Sequence, residues 1–194
     1  MKGADTHRRL GRFLLRVLLW LPLCYGVWFL AAPVLLAPAV LMTRAALGLT
    51  TPDLIAALYW ADGALQVYTR LSAGEGHYGF TFDPLAYGYG LVLLAALVLA
   101  TPAPRRWASL AIGLMLLQPF IAWGLYFAIL RTLLEYDPAV LPPGLTEAVQ
   151  FAARIGLLLF APLTPVLVWG LLERSHLQWL AGVSDLHRPE DPPG

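Results

Sequence analysis

Val17–Met42, VLLWLPLCYGVWFLAAPVLLAPAVLM, carries no charged residue and decides the fold class. At 1.5 Å per residue it reaches about 39 Å as a helix, more than the roughly 30 Å hydrocarbon core of a bilayer. Lys2, Arg8, Arg9, Arg12 and Arg16 precede it. A secretory signal also starts basic, but its apolar core is only about 7–15 residues long. Ala31-Ala32-Pro33 is also a poor cleavage site, so the run reads as an uncleaved membrane helix. Pro22, Pro33 and Pro38 fall inside it. Each removes a backbone donor, and such positions persist in lipid where neighbouring helices or polar side chains satisfy the freed groups. The reading is therefore a packed bundle.

Three more apolar stretches follow, at 85–103, 107–130 and 148–172, the last broken by Pro162 and Pro165. The whole chain agrees with them. Of its 194 residues, 59% are hydrophobic and 13% charged, against roughly 45–50% and 25% in soluble domains. Mean hydropathy is +0.67. A net charge of +1 gives no footprint for nucleic acid. The single cysteine, Cys24, excludes an intramolecular disulfide and any multi-cysteine metal knuckle.

The basic residues orient the spans. Nine of the thirteen Lys and Arg lie in segment 1–16, at Arg105-Arg106 and in the tail 173–194. Arg44, Arg70, Arg131 and Arg154 fall on the other side, with seven of the twelve acids. By the positive-inside rule both termini are cytoplasmic. The expected class is an all-α integral membrane protein. It has four transmembrane helices, an outer loop at 43–84, a shorter one at 131–147, and a tail whose end is expected to be disordered.

The loop 43–84 is too long for a simple connection. Thr51-Pro52-Asp53 predicts a helix start running to Trp60. Leu65, Val67, Thr69 and Leu71 then alternate with Gln66, Tyr68 and Arg70, and after Ala73-Gly74-Glu75-Gly76 the residues Tyr78, Phe80 and Phe82 share one face. Two β-favouring runs about a glycine-rich turn predict a hairpin over Gly63–Asp83. A lone hairpin is marginal in water. The bundle is thus expected to cover either the Leu65, Val67, Leu71 face or the Tyr78, Phe80, Phe82 face, leaving the other to a partner. Tyr68, Arg70, Tyr78, Phe80 and Phe82 are the candidate partner-binding residues.

Little in the sequence points to chemistry. Cys24 lies deep in its span, where an apolar thiol is inert. His77 belongs to the outer hairpin, while His7, His176 and His187 fall on the cytoplasmic side. No His-Glu-x-x-His and no phosphate-cradling glycine loop occurs, and neither metal nor cofactor is expected. Asp62, Glu75, Asp83, Glu135, Asp137 and Glu147 lie outside or at the boundary, with no spacing that requires a paired-carboxylate site. Asp83-Pro84-Leu85-Ala86-Tyr87-Gly88-Tyr89-Gly90 is the most distinctive string. Asp83-Pro84 suits a helix entry, Tyr87 and Tyr89 suit the interface, and Gly88 and Gly90 permit close helix approach. Gln118-Pro119 is the clearest polar feature inside a span. The absence of central charges disfavours a transporter or channel subunit, and an enzyme using outer-face acids with His77 is the other alternative.

Arg12–Cys24 with Trp28, Val67-Tyr-Thr-Arg-Leu71, Asp83–Gly90 and Ala122-Trp123-Gly124 together resemble the exosortase H-associated membrane proteins. In that family the position of Asp83 is often Asn. The resemblance implies a partner of an exosortase, a membrane cysteine transpeptidase that processes C-terminal sorting tails. It implies an accessory and not the enzyme, since the Cys, Arg and His arrangement of exosortases is missing here.

Overall fold

The computed structural model describes residues 2–61, 63–73 and 76–180. Helix α1, Lys2–Thr50, contains all three of its prolines and extends the apolar run at both ends. It stops at Thr51-Pro52, where the Thr51 backbone N–H and hydroxyl both donate to the Leu47 carbonyl, at 2.8 and 3.0 Å. Its 49 residues correspond to about 73 Å. One stripe is buried, through Phe13, Val17, Cys24, Trp28, Ala32, Leu36, Ala39, Thr43 and Leu47. The spacing of three, four or seven residues is that of a single helical face. The other faces are apolar too, with Leu30 84% and Val34 76% exposed, and apolar surface of this extent marks a membrane or protein contact.

Helices α2 (Leu85–Ala100), α3 (Arg106–Tyr136), α4 (Pro143–Ile155) and α5 (Ala161–Leu172) complete the bundle, and a short α6 (Arg174–Leu180) follows. Gly156–Phe160, between α4 and α5, forms a π turn in which the Ala161 N–H donates five residues back to the Gly156 carbonyl. Pro162 and Pro165, which lack N–H donors, follow it directly, and widened turns of this kind accommodate such breaks. Three helical stretches are long and apolar enough to cross a membrane: His7–Thr50, Arg106–Tyr136 and Gly144–Leu172. The 16-residue α2 is shorter but lies at the centre, buried on most of its surface against α1, α3 and α5.

Gln118 ties α1 to α3. Its Oε1 accepts from the Ala39 N–H at 3.1 Å and its Nε2 donates to the Leu35 carbonyl at 3.2 Å. One amide thus reaches the two groups that close a single turn beside Pro38, as a proline-interrupted helix in lipid requires. One turn on, the buried Thr43 hydroxyl lies 2.9 Å from the Ala39 carbonyl and 3.2 Å from that of Ala122.

The loop 43–84 holds three strands and not two. β1 (Ile55–Ala61), β2 (Ala64–Ala73) and β3 (Gly76–Phe82) form an antiparallel meander in that order. The expected helix at Thr51–Trp60 is therefore corrected to a turn and a strand. Thr51-Pro52 ends α1 instead of starting a helix. As a strand, the short Ile55–Ala61 pairs the free edge of β2 and places Leu58 opposite Val67 and Trp60 opposite Leu65. Gly63, at φ +78°, takes the left-handed conformation of the tight turn between β1 and β2.

Candidate partner-binding surface

In an antiparallel sheet, residues directly opposite each other project to the same side. Val67 lies opposite Phe80 and Leu65 opposite Phe82. The aliphatic and aromatic sets expected on two faces therefore share one. That face packs on Leu47 of α1, on Ile129, Leu130, Leu133 and Leu134 of α3, and on Val149 of α4. Tyr78 stacks on Tyr136 at 3.6 Å between ring centroids, and Phe82 lies over Tyr87 at 5.8 Å. Tyr78, Phe80 and Phe82 are thus half-buried in the seam between sheet and helices. Register irregularity between Tyr68 and Ser72 is bridged by the buried Thr69, whose hydroxyl donates to the Tyr78 carbonyl at 2.6 Å and accepts from the Leu71 N–H.

The opposite face is open. Tyr59 and Tyr68, 47% and 43% exposed, stack with centroids 5.5 Å apart and planes 11° from parallel. A side-chain hydrogen bond to Tyr68 raises the Tyr59 phenol above its ordinary range. Gly79 sits opposite Tyr68, and a Cβ there would lie 3.7 Å from the Tyr68 ring. The Thr81 hydroxyl donates to Gln66 Oε1 at 3.2 Å, and Arg70 and His77 are exposed further along their strands. The result is a flat tyrosine platform rimmed by a guanidinium, an imidazole and an amide. Tyr59 escaped the sequence reading because β1 did. Asp62-Gly63, a strong hairpin signal, was available to reveal it.

The string at Asp83–Gly90 has a different use. Asp83 Oδ1 accepts the Leu85 N–H at 2.9 Å as the chain enters α2. A Cβ on Gly88 would stand 3.0 Å from Leu36 and 3.1 Å from Trp28 on α1. One on Gly90 would stand 2.8 Å from the Ala161 carbonyl, and one on Gly124 only 2.5 Å from the Tyr87 ring. Gly156 lies as close to Gly124, a would-be Cβ meeting its Cα at 2.9 Å. Asp83–Gly90 and Ala122-Trp123-Gly124 thus meet in one crossing, with Tyr87 seated on Gly124. Compared with known protein families, residues 7–176 match the description of the exosortase H-associated membrane proteins. The chain belongs to that family. No curated protein and no solved structure matches it.

Within this family member, two polar groups near the end of α3 serve local structure. Arg131 pairs with Glu135 at 2.9 Å, and Asp137 accepts the Ala139 N–H at 2.9 Å. Cys24 is buried in α1, whereas His77 lies on β3 and His176 on α6, against Phe13 and Trp169. Among the described residues no three His, Cys, Asp or Glu converge as metal ligands would.

Proposed function

We propose that this protein is a non-catalytic accessory of an exosortase-type sorting system in the bacterial inner membrane, binding the transpeptidase, its substrate tail, or both, through the open face of the sheet. The observation that carries this reading is the asymmetry of that sheet. Its inner side is consumed by the bundle, and its outer side presents Tyr59, Tyr68 and Arg70. Exposed aromatics with an adjacent arginine are the residue types that anchor protein interfaces. Tyr78, Phe80 and Phe82 contribute indirectly, by fixing the platform to the helices.

The proposed topology is four spans with both ends cytoplasmic, α2 being the short fourth span inside the ring of longer ones. Its support is the separation of charge along the bundle. Arg9, Arg12 and Arg16 share a hollow with Pro102, of the turn joining α2 to α3, and with His176 of α6. The sheet packs at the other end, against Leu47 of α1 and Leu133 of α3. A reporter fused after Gly194 should be cytoplasmic and one inserted at Gly74 external; a cytoplasmic signal from Gly74 overturns the topology.

The binding reading is tested by co-purification with a tagged exosortase. Replacing Tyr68 and Arg70 together by Ala should weaken capture while membrane abundance stays normal. Unchanged capture by that variant, with capture lost on substitution at Gly88 or Gly90, would move the contact to the spans.

A further inference from the structure

The face of α1 that carries Arg9, Arg12 and Arg16 continues through Trp20, Leu23 and Val27. These positions recur every three or four residues and form one helical stripe. Two hollows follow the stripe. The first, about 100 Å³, is lined by the three arginines with Phe13, Pro102 and His176. The second, about 320 Å³ and almost wholly apolar, runs between α1, α2 and α3, with Leu23 and Val27 on one wall and Ala95, Trp107 and Leu110 on the others. The end of α2 and the turn after it border both, through Leu99 below and Pro102 above.

Charge and length together select an occupant. Arg12 and Arg16 are exposed and make no ion pair among the described residues. Like charges three and four residues apart on a helix repel, so the stripe is stabilised by an anion. From Arg16 to Val27 the helix advances about 16 Å, close to half of the roughly 30 Å hydrocarbon core. A ligand with its anionic group at the arginines and an apolar chain in the groove therefore has the dimensions of one phospholipid in one leaflet. We infer that this stripe is a selective site for an anionic phospholipid, its phosphate held by Arg12 and Arg16 and one acyl chain lying along Leu23 and Val27. An uncharged or zwitterionic lipid fills the groove equally well but does not offset the guanidinium repulsion.

The test is native mass spectrometry of the full chain in a non-ionic detergent, with equal amounts of phosphatidylglycerol and phosphatidylcholine. The wild type should retain one phosphatidylglycerol in preference to phosphatidylcholine. Arg12→Gln with Arg16→Gln should lower that retention about 30-fold, from the usual contribution of two basic residues at an anionic surface. Both side chains are exposed, so folding is not at stake. Arg44→Gln with Arg154→Gln removes the same charge elsewhere and should leave retention unchanged. Ala95→Phe, which narrows the groove, should reduce it, and millimolar inorganic phosphate should not displace the lipid. Equal retention of both lipids, equal loss in the two double variants, or displacement by inorganic phosphate would overturn the inference. So would selective retention that appears only after removal of residues 181–194, since the chain's own acids would then be the occupant.

Discussion

The glycine crossing at the centre of the bundle and the open face of the sheet are built from opposite materials. At the crossing, Gly88, Gly90, Gly124 and Gly156 bring backbones so close that added carbons would meet Trp28, the Ala161 carbonyl, Tyr87 and one another's main chain. On the sheet, Tyr59, Tyr68 and Arg70 project large, exposed side chains that belong to neither buried cluster. The crossing has no room for a ligand. The sheet face has exposed surface. The most distinctive string in the sequence is therefore spent on architecture, and the binding surface is assigned to residues outside it. Small residues let helices pack where no hydrophobic force distinguishes protein from lipid, while interface strength concentrates in a few exposed aromatics and arginines.

That contrast is open to attack from both sides. Gly90→Val should have the largest effect, because the Ala161 carbonyl is backbone and cannot swing away. Overpacking of this kind costs about 3 kcal/mol, visible as a lowered thermal midpoint and reduced membrane abundance. A well-folded Gly90→Val protein would break the packing account. Gln118→Leu should cost about 2 kcal/mol by removing the two hydrogen bonds through which α3 holds the Leu35 carbonyl and Ala39 N–H beside Pro38. It should leave exosortase capture by the surviving folded protein unchanged. Tyr59→Ala should leave stability within about 0.5 kcal/mol of wild type, as surface changes do, while reducing capture; a large loss of stability would show the platform to be structural.

The smallest effect concerns pH at the opposite end. Burial, followed by the nearby Arg16, lowers the His176 pKa, with Glu173 acting in the other direction. A histidine with a depressed folded pKa contributes stability that is complete above its unfolded value near 6.5 and is lost as pH falls through the folded value. The thermal midpoint should therefore decline modestly below about pH 6.5, and His176→Phe should flatten that dependence.

The helices were legible because long apolar runs with almost no charge have few alternative explanations. Gln118 was legible as the one clear polar break in a span. The sheet was only half legible. Thr51-Pro52-Asp53 has the composition of a helix start, but Thr51 closes α1, and the Leu- and Ala-rich Ile55–Ala61 becomes a strand because β2 offers it an edge. The faces of the hairpin were misassigned because alternation within each strand is local, whereas facing across strands depends on register. Val67 opposite Phe80 puts both sets inward, which left Tyr68 and Arg70 outward and moved Tyr78, Phe80 and Phe82 into the seam.

The central claim, that the outer and not the inner face of the sheet meets the exosortase system, is tested most directly by site-specific photocrosslinking in cells that contain both proteins. Benzoyl-phenylalanine placed at Tyr68 should give an adduct with the exosortase or its substrate tail, and the same probe at Phe80 should give only internal products. Adducts from Phe80 with none from Tyr68 would contradict the account.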